Sequence, residues 1–173
     1  MKKTILVTGG TGFIGSHTTV ELQNAGYDVV IVDNLSNSKA DVVDGIEKIT
    51  GIRPAFEEVD CCDLAALEGV FKKYPAITGI IHFAASKAVG ESVQLPLKYY
   101  ENNLVSLINL LKLMPKYDVK GIIFSSSCTV YGQPDPENLP VTEQAPIKKA
   151  ESPYGKHKAN QRGNYSGLRS QWC

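Results

Sequence analysis

Tyr154 and Lys158 stand four residues apart. On a helix that spacing puts two side chains on one face, a turn from each other. A lysine ammonium beside a phenol favours the phenolate, so the pair is suited to a tyrosine acting as general base near neutral pH. Ser127 ends the run Gly121-Ile122-Ile123-Phe124-Ser125-Ser126-Ser127, where its hydroxyl can hold the group that gives up the proton. The bland alternative is a half-buried aromatic at Tyr154 and a solvated side chain at Lys158. Y-x-x-x-K by itself does not decide between them. Its weight comes from what precedes it in the chain.

That is the stretch Thr8-Gly9-Gly10-Thr11-Gly12-Phe13-Ile14-Gly15. It follows the apolar run Thr4-Ile5-Leu6-Val7 and precedes a helical pattern ending at Gly26. Gly10, Gly12 and Gly15 satisfy G-x-G-x-x-G, and Gly9, Gly12 and Gly15 satisfy G-x-x-G-x-x-G. A tight strand-to-helix turn needs positive φ, which glycine adopts cheaply. A pyrophosphate then lies against backbone N–H groups at a helix N-terminus, with no Cβ in the way. Val29-Val30-Ile31-Val32 reads as the next strand, and Asp33 follows it, eighteen residues after Gly15. That is close to the spacing that places a carboxylate on the adenosine ribose of NAD and against the 2′-phosphate of NADP. Alternatively, Asp33 only caps the loop Asn34-Leu35-Ser36-Asn37. No Walker lysine follows the glycines, which disfavours a nucleoside triphosphatase. A bound, positively charged nicotinamide would also favour the phenolate.

Strand patterns near residues 4–8, 28–33, 54–59, 78–83 and 120–125 alternate with helical patterns near 13–25, 39–50, 63–74 and 98–117. Pro115 is expected to end or kink the last of these early. Such alternation predicts an α/β fold, a doubly wound parallel sheet of the Rossmann type with helices on both faces. The strands are continuous apolar runs, as burial on both faces requires. Residues 133–153 hold Pro134, Pro136, Pro140, Pro146 and Pro153. They form a long loop at the carboxyl end of the fifth strand, where open α/β sheets place ligands.

The chain has 173 residues, 18 basic and 18 acidic, and 43% hydrophobic residues. One globular domain is expected, with no nucleic-acid or membrane partner. The apolar run after Met1-Lys2-Lys3 is too short for a secretory leader, and no stretch approaches a membrane span. Cys61, Cys62, Cys128 and Cys173 form no C-x-x-C, and His17, His82 and His157 are scattered. No metal site is expected, and free thiols fit a cytoplasmic location.

With these residues in view, the chain resembles the extended short-chain dehydrogenase/reductase family, and within it the enzymes that act on sugar nucleotides. The likeness runs from Thr4 to about Tyr154. It is sharpest in His82-Phe83-Ala84-Ala85-Ser86-Lys87-Ala88-Val89-Gly90-Glu91-Ser92-Val93, Pro96-Leu97, Tyr99-Tyr100-Glu101-Asn102-Asn103 and Phe124-Ser125-Ser126-Ser127-Cys128-Thr129-Val130-Tyr131-Gly132. The resemblance implies NAD as cofactor. Gly9, Gly12, Phe13, Ile14 and Gly15 would hold its pyrophosphate. Asp33, Asn34, Asn37 and Ser38 would hold the adenosine ribose, and Asp60 and Cys61 would flank the adenine. Phe83, Ala84, Ala85, Lys87 and Asn102 would line the cofactor, with Lys87 also near the sugar nucleotide. Ser127, Tyr154 and Lys158 would be the catalytic trio, with Tyr154 and Lys158 also meeting the cofactor and Ser127 and Tyr154 the substrate.

The activity implied is inversion at C4 of a UDP-hexose, with a homodimer as the full-length form. Other readings are another sugar-nucleotide epimerase or a dehydratase, a simple ketone reductase, and a non-catalytic NAD-binding module. Dehydratases of the family carry an Asp-Glu pair after the serine, where this chain has Cys128 and Thr129. A sensor module usually lacks the tyrosine, which is present here.

The family continues past Y-x-x-x-K as an amphipathic helix and runs to roughly twice this length, with most uridine-nucleotide contacts in its second half. Here residues 159–173 contain Gly163 and Gly167 and show no apolar period. One codon choice for Gly155–Ser166, with a single A removed from the codon of Lys156, reads Gly-Asn-Thr-Lys-Gln-Ile-Asn-Glu-Glu-Ile-Ile. That is an amphipathic start with lysine still at position 158. The expected organisation is therefore an NAD-binding domain over 1–155 and an aberrant, frame-shifted tail over 156–173. The fragment is expected to be inactive by itself and poorly folded at its C-terminus.

Overall fold

The computed structural model describes residues 3–172, with side chains described up to Arg162. The elements are β1 (Thr4–Thr8), α1 (Phe13–Asn24), β2 (Asp28–Asp33), α2 (Val42–Thr50), β3 (Ala55–Glu58), α3 (Leu64–Lys73), β4 (Ile77–His82), α4 (Val89–Gln94), α5 (Pro96–Lys116), β5 (Gly121–Phe124) and α6 (Pro153–Trp172). Short 3-10 turns cover Cys128–Tyr131 and Pro136–Asn138. Contacts group these into two compact units. Residues 1–85 and 105–125 form the first, and residues 86–104 and 126–173 the second.

The first unit is built on a parallel sheet of order β3-β2-β1-β4-β5. The order reverses between β1 and β4, which is where a doubly wound sheet opens a crevice at its carboxyl end. Right-handed crossovers put α1 and α2 over one face and α3 and the later part of α5 over the other. Under the first face Val7, Val29, Ile31 and Ile46 form a buried cluster, with Ile5, Val20 and Phe56 packed against it. On the other side Phe71 of α3 stacks on Tyr117 just after α5, with ring centroids 5.4 Å apart. Each fully buried side chain of this size contributes roughly 1.5–3 kcal/mol. The helices start and stop where local chemistry dictates. Asp63 caps α3 by accepting from the Ala65 and Ala66 N–H groups, both at 3.0 Å. Gly51 ends α2 at φ 72°.

The second unit holds α4, the first turns of α5, the proline-rich loop and α6. Two features differ from the sequence expectation. The segment after Lys87 contains α4, a helix too short to show a period. Pro115 does not end α5 early, because it lies in the last turn, where the helix stops at Lys116 anyway. The backbone from Pro153 to Trp172 is helical. The expectation of a poorly packed tail falls largely on side chains beyond Arg162, outside the described residues.

Candidate functional site

In the first unit the turn after β1 is shaped around missing side chains. Gly9 has φ 69°, and a Cβ there would lie 2.7 Å from the Ala84 backbone nitrogen. At Gly15 a Cβ would meet the Gly9 carbonyl oxygen at 2.2 Å. Helix α1 therefore packs directly on the turn that precedes it. Gly12 caps α1 without a side-chain hydrogen bond, and the first turn of the helix carries no acid. Phe13 and Ile14 flank that end with exposed apolar surface. This is a cradle that Cβ atoms would fill, at a helix end that favours anions. It fits a dinucleotide pyrophosphate.

Asp33, at the end of β2, is buried. One carboxylate oxygen accepts from the Thr11 N–H at 3.2 Å. The other accepts from the Leu35 N–H at 3.0 Å and the Ser38 hydroxyl at 3.1 Å. The loop-holding role considered from sequence is thus present. It leaves acceptor capacity on the oxygen that takes one bond. The Thr11 and Ser38 hydroxyls lie 2.7 Å apart, so the glycine turn and the loop after β2 are one network. Sequence reasoning passed over Thr11. Leu35 sits at φ 55°, a conformation unusual for a branched side chain, and Asn37 is exposed.

Asn34 donates to Asp60 at 3.0 Å, and Asp60 also accepts from the Cys62 N–H at 2.8 Å. Partial burial pushes the Asp60 carboxyl up. The bonds from Cys62 and Asn34 outweigh it and hold the group below its ordinary value. Burial drives the Cys61 thiol far above the usual thiol range, so it is a packing group rather than a nucleophile. Phe83, Ala84 and Ala85 follow β4 at the same carboxyl end of the sheet.

The second unit assembles the other expected residues from three separate segments. Lys87 is exposed. Asn102, on α5, donates to the Ser86 hydroxyl at 3.2 Å and to Asn103 at 3.0 Å. Asn103 is fully buried. Its amide accepts from the Ser86 N–H at 2.8 Å and donates to the Ser86 carbonyl at 3.0 Å. That double bond fixes the backbone beside Lys87, a role spacing alone does not reveal. Ser127 caps the 3-10 turn, its hydroxyl oxygen accepting from the Thr129 N–H at 3.3 Å and the Thr129 hydroxyl at 3.0 Å.

Tyr154 and Lys158 share the inward face of α6. Lys158 is only 3% exposed, which removes the solvated-lysine alternative. Its Nζ lies 5.9 Å from the centre of the Tyr154 ring. Burial pushes the ammonium down to about 8. The Tyr154 N–H donates to the fully buried Ser92 hydroxyl at 3.2 Å, and Ser92 donates to the Val89 carbonyl at 2.6 Å. Ser92 thereby satisfies a free donor of the α6 N-terminus from α4. Among the described residues no cluster of acids, histidines and cysteines is arranged to hold a metal. No helix there is long and apolar enough to cross a membrane.

With this geometry established, comparison is informative. The model of the NAD dependent epimerase/dehydratase family matches residues 5–162. The chain belongs to this family. Among curated members, UDP-glucose 4-epimerase uge1 of Schizosaccharomyces pombe is 53% identical over 157 residues, which are 90% of this chain and 44% of that protein. UDP-glucose 4-epimerase of Bacillus subtilis is 53% identical over 154 residues, 89% of this chain and 44% of that one. The crystal structure of UDP-glucose 4-epimerase from Bifidobacterium longum in complex with NAD+ and UDP matches with a TM-score of 0.93 at 47% identity. That match covers 98% of this chain and 50% of the other. The chain thus spans about half the length of these epimerase/dehydratase relatives.

Proposed function

We propose that these residues carry the NAD cradle and the proton-transfer trio of an NAD-dependent UDP-glucose/UDP-galactose 4-epimerase, an isomerase of galactose metabolism. The observation that carries the reading is Lys158, a lysine buried beside Tyr154 with its proton held loosely. A fold has no need of a buried cation there, whereas a tyrosine base does. Gly9, Gly12 and Gly15 leave room for the pyrophosphate, and Asp33 receives the adenosine ribose hydroxyls. Residues 1–155 form the NAD-binding part, and 156–173 a tail read in a shifted frame. The longer protein is a cytoplasmic homodimer whose partner molecule is a UDP-hexose.

In the reaction the Tyr154 oxygen takes the proton of the sugar 4-hydroxyl as C4 gives up its hydride. Lys158 stabilises the phenolate before that transfer, and Ser127 holds the 4-oxygen by hydrogen bond. NAD held by the Gly9–Gly15 cradle and Asp33 would supply hydride acceptance and return at C4, on opposite faces of the sugar, so that no net oxidation would occur. Tyr154 then gives the proton back. A dehydratase needs a further acid to expel water. Here Cys128 and Thr129 stand where such an acid would be, and the Thr129 hydroxyl is already donated to Ser127.

The test uses the chain continued through the re-read frame to the length of its relatives. UDP-galactose is added to the NAD-loaded protein, and the near-ultraviolet band of reduced nicotinamide is followed together with UDP-glucose formation. A transient band with UDP-glucose as product is the expected result. Binding of NAD with neither signal would leave a non-catalytic module.

A further inference from the structure

Helix α6 turns Tyr154, His157, Lys158 and Gln161 inward, all buried. The spacing is that of a helix face, but every one of these side chains is polar. Three have contacts that suit them. Tyr154 is held through its backbone by Ser92, Lys158 lies over the Tyr154 ring, and Gln161 donates to the Asn103 carbonyl at 2.6 Å.

His157 does not fit in the same way. It is 0% exposed, yet neither ring nitrogen has a hydrogen-bond partner among the described residues. A neutral imidazole always carries one N–H donor and one bare acceptor, so both are stranded away from water. Its ring centre lies 3.7 Å from that of Tyr100, at 61°. Edge-to-face rings prefer roughly 4.5–7 Å. The Tyr99 ring, 6.4 Å away, closes another side. The position is both too tight for an imidazole and without anything for it to bind.

A small hydroxyl side chain would meet neither problem, and the molecule shows why. The helical threonines Thr19 and Thr50 donate back to the carbonyls of Gly15 and Ile46, at 2.9 and 3.0 Å. A threonine at 157 would have the Pro153 carbonyl in the same relation.

We propose that His157 makes the docking of the Tyr154–Lys158 face onto α4 and the first turns of α5 weak and dependent on pH. Only the consequence for catalysis rests on the function proposed above.

The rings packed against His157 are those of Tyr99 and Tyr100 of α5, and Tyr154 and Lys158 are the titratable groups buried beside it on its own helix. Glu91 of α4 lies behind Tyr99, accepting its hydroxyl at 2.6 Å and Lys98 at 2.8 Å. Lys98 and Tyr99 hold the Glu91 carboxyl below its ordinary range, and burial pushes Tyr99 up to about 12. Those two titrate outside the mildly acidic range. Burial lowers His157 from 6.5, so the folded state keeps it neutral. The unfolded chain gains a proton as pH falls through about 6.5, and stability is lost there.

The test compares the 173-residue chain with His157→Thr and His157→Ala. Amide exchange over residues 153–162 and 89–104, corrected for intrinsic rates, is measured at pH 7.5 and 5.5. In His157→Thr, protection should rise about tenfold at pH 7.5 and stay level on acidification, while the parent loses a further severalfold. His157→Ala should lose the acid sensitivity with a smaller gain. Threonine no better protected than histidine, an acid response that survives in both variants, or a threonine variant that fails to fold would each overturn the proposal.

Discussion

The two units build their candidate functional residues in opposite ways. In the first, one local segment does nearly everything. A turn of four residues between β1 and α1, backed by Gly15 in the first turn of the helix, leaves a cradle because Gly9 and Gly15 cannot be anything else, and Asp33 ties the neighbouring loop to it through Thr11 and Ser38. In the second, Ser86 is tied to Asn103 and Ser92 to Tyr154 by polar bonds between separate stretches of chain. A cradle of backbone tolerates change around it and no Cβ within it. A buried polar cluster depends on every member being satisfied. The first unit should therefore be robust, and the second sensitive to single side chains and to pH.

The largest effect that would sharpen this contrast is Tyr154→Phe in the chain continued to full length. Turnover should fall by roughly a hundredfold or more, the scale of a general acid–base group, with NAD affinity unchanged. Ser127→Ala should cost less, because serine only positions the hydroxyl. Steady-state rates and an NAD titration on each variant check both. Near-normal turnover in Tyr154→Phe would mean that another group moves the proton.

Gly15→Ala probes the other unit. The added methyl collides with backbone, so the turn must open. Overpacking of this kind costs about 1–3 kcal/mol. NAD affinity should drop by at least tenfold while amide protection of α6 stays put. Loss of α6 protection as well would erase the contrast between the units.

Lys158→Met separates stability from function. Burial lowers the folded pKa of Lys158 from 10.5 to about 8. The folded form releases its proton first, so stability rises as pH climbs from about 8 to 10.5, and the penalty is complete below 8. Removing the charge should raise the unfolding free energy read from a urea titration at pH 7 by on the order of 1–3 kcal/mol, and abolish turnover. A variant less stable than the parent at pH 7 would show that Lys158 holds the fold together.

The same contrast explains what could be read from the chain. Strands β1, β2 and β4, helix α1 and the glycine turn are local in their causes, and periodicity and glycine spacing reveal them. Tyr154 and Lys158 were legible as a pair because their spacing is helical. The pairs Ser92–Tyr154 and Asn103–Ser86 were not, because 62 and 17 residues separate the partners and no pattern announces them. Helix α4 is too short to show a period. The outer strand β5 reads as apolar although Ile123 is 64% exposed, since an edge looks like a centre until its neighbours are known. Asp33 was legible as an acid at the right distance, but its bonds to Thr11, Leu35 and Ser38 needed coordinates.

The most direct measurement is a calorimetric titration of NAD+ and NADP+ into the 173-residue chain and its Asp33→Ser and Tyr154→Phe variants, each checked for folded signal. The account predicts that the parent binds NAD+ more tightly than NADP+. Asp33→Ser should narrow or reverse that preference, and Tyr154→Phe should leave it intact. Tighter binding of NADP+ by the parent, or a preference that Asp33→Ser does not move, would contradict it.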